Sequence, residues 1–183
     1  MAENLKQVKL KDREFRLSYP ESEIQQDIDL VASKINWDFR NAQEIPLFLS
    51  ILNGSFMFTA DLMKRINFPC EVSFIKLSSY QGTESTGVIN QLIGLNEDIS
   101  DRTVIIVEDI VDTGITLTKL YGELNKLNPK AIKVATLLYK PESYKGAAKI
   151  DYIGRSIPND FIVGYGLDYD GIGRNLPDIY TVI

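Results

Sequence analysis

Between Val104 and Leu117 the chain reads Val-Ile-Ile-Val-Glu-Asp-Ile-Val-Asp-Thr-Gly-Ile-Thr-Leu. An apolar run is followed by two adjacent acids, Glu108 and Asp109. A third acid stands at Asp112, and a Thr-Gly turn then opens an amphipathic stretch. Each residue type has a chemical use in that setting. Gly114 lets the backbone turn tightly enough for an anion to approach. A helix start presents unpaired N–H groups and the positive end of its dipole, which suits a phosphate. The hydroxyls of Thr113 and Thr116 can add donors. Glu108 and Asp109 suit ribose hydroxyls or a magnesium shell. Asp112, at the rim, could exchange a proton with a base lying above a sugar, or could serve only as a helix N-cap.

The rest of the composition narrows the chemistry. There is no histidine among the 183 residues, which excludes a Ser-His-Asp triad, a Cys-His pair and any His-ligated zinc site. Acid–base work must fall to carboxylates, lysine or tyrosine, and metal binding to oxygen ligands. Cys70 is the sole cysteine, so no intrachain disulfide can form. The formal net charge of −5 argues against nucleic acid or an anionic membrane as a standing partner. The first residues, Met1-Ala2-Glu3-Asn4-Leu5-Lys6, lack the apolar run of a signal peptide, and no stretch is long enough to span a bilayer. A cytoplasmic location and one domain over 1–183 are expected.

The elements that must position the acids can be read from periodicity. Ser22 to Asn41 is expected to form a helix, with Ile24, Ile28, Val31, Ile35 and Phe39 on one face, Trp37 at its margin and a capping box from Ser22 and Gln25. Pro46–Leu52 has the length and composition of a strand. Asn53-Gly54-Ser55 breaks it, and a helix is expected over Phe56–Ile66. Cys70–Ser78 alternates as a strand, whereas Ser79–Gly87 is polar and reads as a mobile loop. Thr103–Val107 and Ala131–Tyr139 are buried-type strands that bracket a helix stopped by Asn128-Pro129. Phe161–Gly166 is expected as a strand near the C-terminus. Apolar strands alternating with helices imply an α/β fold, a mostly parallel sheet covered on both faces. Ligands bind such sheets beyond the carboxyl ends of the strands, which directs attention to the loops after Leu52, Val107 and Tyr139.

The segment around Asp112 resembles the phosphoribosyl-pyrophosphate motif of type I phosphoribosyltransferases. Leu52–Phe58, Ser78-Ser79-Tyr80 and Ile157–Tyr169 are similar to segments of the hypoxanthine-guanine branch of that family, and the likeness runs from about Leu47 to Ile183 in family order. The resemblance implies a central parallel sheet flanked by helices, with a small hood formed by the chain ends. It implies transfer of a phosphoribosyl group to N9 of hypoxanthine or guanine, with magnesium as cofactor.

It also implies roles, position by position. Glu108 and Asp109 contact the ribose hydroxyls and take part in metal binding with Asp168. Asp112 faces N7 of the purine as general acid/base, and Asp112 through Thr116 wraps the 5′-phosphate. Ile115 stands where relatives often carry Lys or Asn, so only its backbone N–H can serve there. Leu52, Asn53 and Gly54 match the pyrophosphate loop, with Asn53 where some relatives have Lys or Arg, and Arg174 matches an arginine that reaches pyrophosphate. Lys140 donates to the 6-oxo group, Phe161 stacks on the purine, and the Ile162 carbonyl meets the base edge. Ser79 and Tyr80 root a loop that closes over the ribose. A homo-oligomer, dimer or tetramer, is expected by the same analogy. Two alternatives share the fold: a phosphoribosyl-pyrophosphate-sensing regulator that binds nucleic acid, and a xanthine-preferring sister enzyme.

Overall fold

The structure, a computed structural model, describes residues 6–77, 92–93 and 95–183. In chain order its elements are β1 (Gln7–Leu10), β2 (Arg13–Tyr19), α1 (Glu21–Phe39), β3 (Leu47–Leu52), α2 (Phe56–Met63), β4 (Glu71–Leu77), β5 (Leu92–Ile93), β6 (Thr103–Val111), α3 (Ile115–Asn125), β7 (Ala131–Tyr139), β8 (Tyr152–Ser156), β9 (Ile162–Val163) and β10 (Ile179–Val182).

The apolar runs make the centre of a sheet ordered β5-β4-β3-β6-β7-β8. Its five long neighbours are parallel, and β5 pairs antiparallel on the β4 edge. Strand alternation sends Phe48, Ile105, Val107, Ala135 and Leu137 to one face, where the α1 stripe Ile24, Ile28, Val31, Ile35 and Phe39 covers them together with Phe58 and Leu62 of α2. Leu47, Leu49, Val104, Ile106 and Val134 go to the other face, beneath Leu117, Leu120 and Leu124 of α3. Both faces of the central strands β3, β6 and β7 are thus covered, as their apolar runs require, while Val72 and Phe74 of β4 stay exposed.

The chain ends form a second, antiparallel sheet, β1-β2-β10-β9, with Phe15, Val163 and Tyr180 as its core. This is the hood. Its strands are short, and β1, β2 and β10 carry no strong periodic signal in sequence. No helix among the described residues is long and apolar enough to cross a membrane.

Several expectations need correction. The capping box does not form: the N-cap of α1 is Pro20, with no side-chain cap bond. The first turn is served from the hood instead, where the Asp178 carboxylate accepts the Glu21 N–H at 2.7 Å. Trp37 does not pack at a margin; it is 66% exposed and stacks under the Arg40 guanidinium, 4.0 Å from the ring centroid. Helix α2 ends at Met63 rather than Ile66. Strand β6 does not stop at Val107 but continues through both acids to Val111, because its ladder with β7 persists to the Val111–Tyr139 pair. The strand expected over Phe161–Gly166 shrinks to Ile162–Val163. Gly164, Tyr165 and Gly166 all adopt positive φ (99°, 48° and 97°), which ends an extended strand. The loop containing Ser79 and Tyr80 lies outside the described residues.

Candidate active site at the carboxyl ends of the strands

The ends of β3, β6 and β7 converge where the hood meets the parallel sheet. Two adjoining recesses open there and share Ile110 and Asp112. The smaller is a hollow of about 100 Å³ walled by Glu108, Ile110, Val111 and the turn Asp112–Leu117. The larger is a cleft of about 250 Å³ lined by Gly54, Asp109, Ile110, Asp112, Lys140, Phe161, Ile162, Leu167, Asp168 and Arg174.

The hollow is the strand-to-helix junction expected from sequence. Gly114 is the N-cap of α3 with φ 78°, a left-handed backbone open to glycine at little cost. Asp112 is therefore not the cap. The Gly114 carbonyl accepts the Thr118 N–H at 2.8 Å, so the helix begins at once and its first amides point toward the hollow. Ile115 is 61% exposed and offers no polar side-chain atom to the hollow.

Because β6 continues through the acids, Glu108 and Asp109 point to opposite faces of the strand. Glu108 walls the hollow and Asp109 the cleft. Glu108 is half-buried as a residue, yet its Oε2 is sealed from solvent and has no hydrogen-bond partner among the described residues. Burial, with Asp109 alongside, pushes this carboxyl well above the usual carboxylate range. Burial likewise raises Asp109 to about 6, against the pull of the Ile110 N–H that its Oδ1 accepts at 2.9 Å.

The cleft has a charged rim and an aromatic wall. Lys140, only 8% exposed, donates to Asp112 Oδ2 at 2.8 Å. Arg174 holds Asp168 Oδ1 at 2.5 Å and donates to the Gly166 carbonyl at 2.7 Å. Asp168 Oδ2 accepts the Gly171 N–H at 2.7 Å, which fixes the carboxylate from both ends. The Phe161 ring is 42% exposed, packed edge-on against Tyr169 at 5.8 Å and backed by the Arg13 guanidinium at 5.7 Å.

The loop after β3 is wedged between the two sheets. The Leu52–Asn53 peptide is cis. A Cβ on Gly54 would sit 1.7 Å from Asp109 Oδ2, and a Cβ on Gly166 would sit 2.0 Å from the Gly54 carbonyl oxygen. Gly54 therefore lets the Asp109 carboxylate of β6 lie against the loop, while the loop and the hood meet backbone to backbone at Gly166. Of this loop only Gly54 reaches the cleft; Leu52 and Asn53 flank it without lining either recess. Below, the buried Ser50 hydroxyl bonds to those of both Ser55 and Thr59 at 2.6 Å, and Ser55 donates to the Ile51 carbonyl at 2.5 Å.

Three contributors carry little sequence signal. Gly166 is one, since its need for φ 97° follows from a contact with a residue far away in sequence. Tyr165 is another: buried at φ 48°, its hydroxyl donates to Asp61 Oδ2 at 2.5 Å and anchors the hood turn on α2. The third is Tyr144, in the polar loop after Lys140, whose ring lies against Gly114. Its only sequence hint is an aromatic residue among loop residues.

Comparison with known proteins agrees with this geometry. Residues 20–170 match the phosphoribosyl transferase domain family. The hypoxanthine phosphoribosyltransferase of Buchnera aphidicola is 42% identical over 164 residues, 89% of this chain and 93% of the relative. The hypoxanthine-guanine phosphoribosyltransferase of Mycobacterium bovis is 41% identical over 166 residues, 87% and 82% respectively. The crystal structure of a hypoxanthine-guanine phosphoribosyltransferase from Bacillus anthracis superposes with a TM-score of 0.80 at 38% identity, covering 96% of this chain and 100% of that one. A continuous match of this extent, across both the sheet and the hood, means that the chain belongs to the phosphoribosyltransferase family, in its hypoxanthine-guanine branch.

Proposed function

We propose that this protein is a purine-salvage transferase that moves the 5-phosphoribosyl group of phosphoribosyl pyrophosphate to N9 of hypoxanthine or guanine, giving IMP or GMP and pyrophosphate. The reading rests on one observation: the Asp112–Lys140 pair, 2.8 Å apart, stands where an anion-suited hollow meets an aromatic-walled cleft. A nucleotide laid across that boundary has its phosphate at the start of α3 and its base against Phe161.

In this reading the bond from C1′ to the pyrophosphate oxygen breaks and the bond from C1′ to N9 forms. One proton leaves the purine, taken at N7 by Asp112. Lys140 has three donors and no acceptor, so it favours a 6-oxo group over the amino group of adenine. Phe161 stacks on the base, and the Ile162 carbonyl accepts from the exocyclic amine of guanine. Glu108, which walls the hollow, meets a ribose hydroxyl there. Asp112, Thr113, Gly114, Ile115 and Thr116 hold the 5′-phosphate through amides and hydroxyls, and Gly54 with Arg174 meets the pyrophosphate. Pre-positioning of this kind can lower a barrier by up to about 7–11 kcal/mol.

The donor set fits magnesium. It is all oxygen, and among the described residues no three carboxylates converge into an all-protein cage. That suits an ion held largely by substrate phosphates with one or two carboxylates, Asp109 and Asp168 being those that face the cleft. When bound, magnesium neutralises charge on the leaving pyrophosphate. A homo-oligomer working in the cytoplasm completes the reading.

An ultraviolet assay of hypoxanthine, guanine, xanthine, adenine and uracil with phosphoribosyl pyrophosphate, with and without magnesium, tests it. Magnesium-dependent turnover of the first two bases, with adenine and uracil silent, is expected. Turnover led by xanthine would favour the sister enzyme, and no turnover with any base would overturn the reading.

A further inference from the structure

The loop that begins at Lys140 touches the phosphate turn at three successive points. Lys140 bonds Asp112, as described. The Lys145 N–H donates to the Thr113 carbonyl at 3.1 Å. The Tyr144 ring closes on Gly114, where a Cβ would stand 2.3 Å from Cε2 and 2.8 Å from Cδ2. The ring is itself held on three sides. It meets Tyr139 edge-on at 5.6 Å, its hydroxyl donates to the Ala148 carbonyl at 2.5 Å, and a Cβ on Gly146 would stand 2.6 Å from that hydroxyl oxygen. The Lys140 carbonyl accepts the N–H groups of both Ser143 and Tyr144, so lysine and ring belong to one tight turn.

We infer that Tyr144 is a positioning residue for phosphoribosyl pyrophosphate: its ring, pressed on Gly114 from outside the hollow, sets the turn that holds the 5′-phosphate. This deepens the proposed function and rests on it. The physical basis is steric. Glycine adopts φ of either sign at similar cost, so with open space beside it this turn would sample several conformations, and the ring occupies the space into which Gly114 would move. The amides at the start of α3 are thereby held aimed at one point, and an anion site depends on that aim.

Steady-state kinetics of Tyr144→Ala and Tyr144→Phe beside the wild type test this. Tyr144→Ala is expected to raise KM for phosphoribosyl pyrophosphate about tenfold, the scale of one displaced hydrogen bond to a charged group, with kcat and the KM for hypoxanthine within about threefold, a change under 1 kcal/mol. Tyr144→Phe keeps the ring and is expected to restore the wild-type KM. A fall in kcat alone, an equal rise in both KM values, or no change would each overturn the inference, since a ring that merely stabilises the fold gives one of those. If Tyr144→Ala does not fold, Tyr144→Leu is judged by the same ratio of KM values. A wild type without transfer activity would instead count against the proposed function.

Discussion

The hollow is walled by Glu108, Ile110 and the unbroken run Val111–Leu117, whereas the cleft beside it gathers Gly54, Asp109, Lys140, Phe161, Asp168 and Arg174 from the whole length of the chain. The first is a local object. A strand ends, a glycine turns left-handed, and a helix starts, all within one segment backed by the deepest part of the core. The second exists only while the hood is docked on the sheet. It is held by backbone approaches at Gly54 and Gly166, by the Arg174–Asp168 and Tyr165–Asp61 contacts, and by the Asp178 bond to the start of α1. A phosphate site can thus be lined by one continuous segment, braced by the loop after β7, while a base site here needs the hood docked. Substitutions should separate the two.

The largest expected effect falls on Asp112, which belongs to both recesses. Asp112→Asn is expected to lower kcat by about 10²–10⁴-fold, the usual weight of a general acid or base, while KM for phosphoribosyl pyrophosphate stays within a few-fold. Equal damage to both would mean that the residue holds the substrate and does not move the proton.

Gly166→Ala attacks docking alone. The added Cβ meets the Gly54 carbonyl and the backbone remains at φ 97°, so about 2–5 kcal/mol of stability should be lost. In thermal denaturation of the folded variant, protection by hypoxanthine should fall further than protection by ribose 5-phosphate. Equal losses would show that the hollow also depends on the hood.

Asp109 lies at the junction of the two regions, and its carboxyl is raised to about 6 by burial. A raised carboxyl favours the folded state while it is protonated. That contribution is complete below the unfolded value near 3.8 and is lost as pH climbs through about 6. Asp109→Asn stays neutral throughout. Denaturant titrations should therefore show the variant gaining on the wild type between those two values, to a plateau of about 3 kcal/mol above them. A difference that does not vary with pH would mean that Asp109 ionises freely in the folded protein.

The mildest of the four is Lys140→Ala, which belongs to the cleft. Loss of a charged donor should lower kcat/KM for hypoxanthine about ten- to a hundredfold and narrow the preference for 6-oxopurines over adenine. Base preference left intact would move specificity to the backbone near Ile162.

The same division explains what could be read from sequence. The Glu108–Thr116 junction was legible because strand, turn and helix signals are local, and the α1 stripe from Ile24 to Phe39 because its period is long and clean. The extent of β6 was not, since nothing near Glu108 reports that β7 continues to pair with it as far as Tyr139. The cap of α1 was misread for the same reason: Ser22 and Gln25 have the right spacing, but Asp178 arrives from the hood. The family likeness picked out Phe161, Asp168 and Arg174, whose own neighbourhoods give no hint that they meet. Tyr144, Tyr165 and Gly166 act through contacts that only the folded chain creates.

The central claim is that one nucleotide spans both recesses, and a crystal structure with IMP bound tests it most directly. The account predicts phosphate oxygens on the amides of Thr113–Thr116, N7 within hydrogen-bond reach of Asp112, and the 6-oxo group at Lys140. A nucleotide seated elsewhere, or one whose phosphate leaves the start of α3 empty, would contradict it.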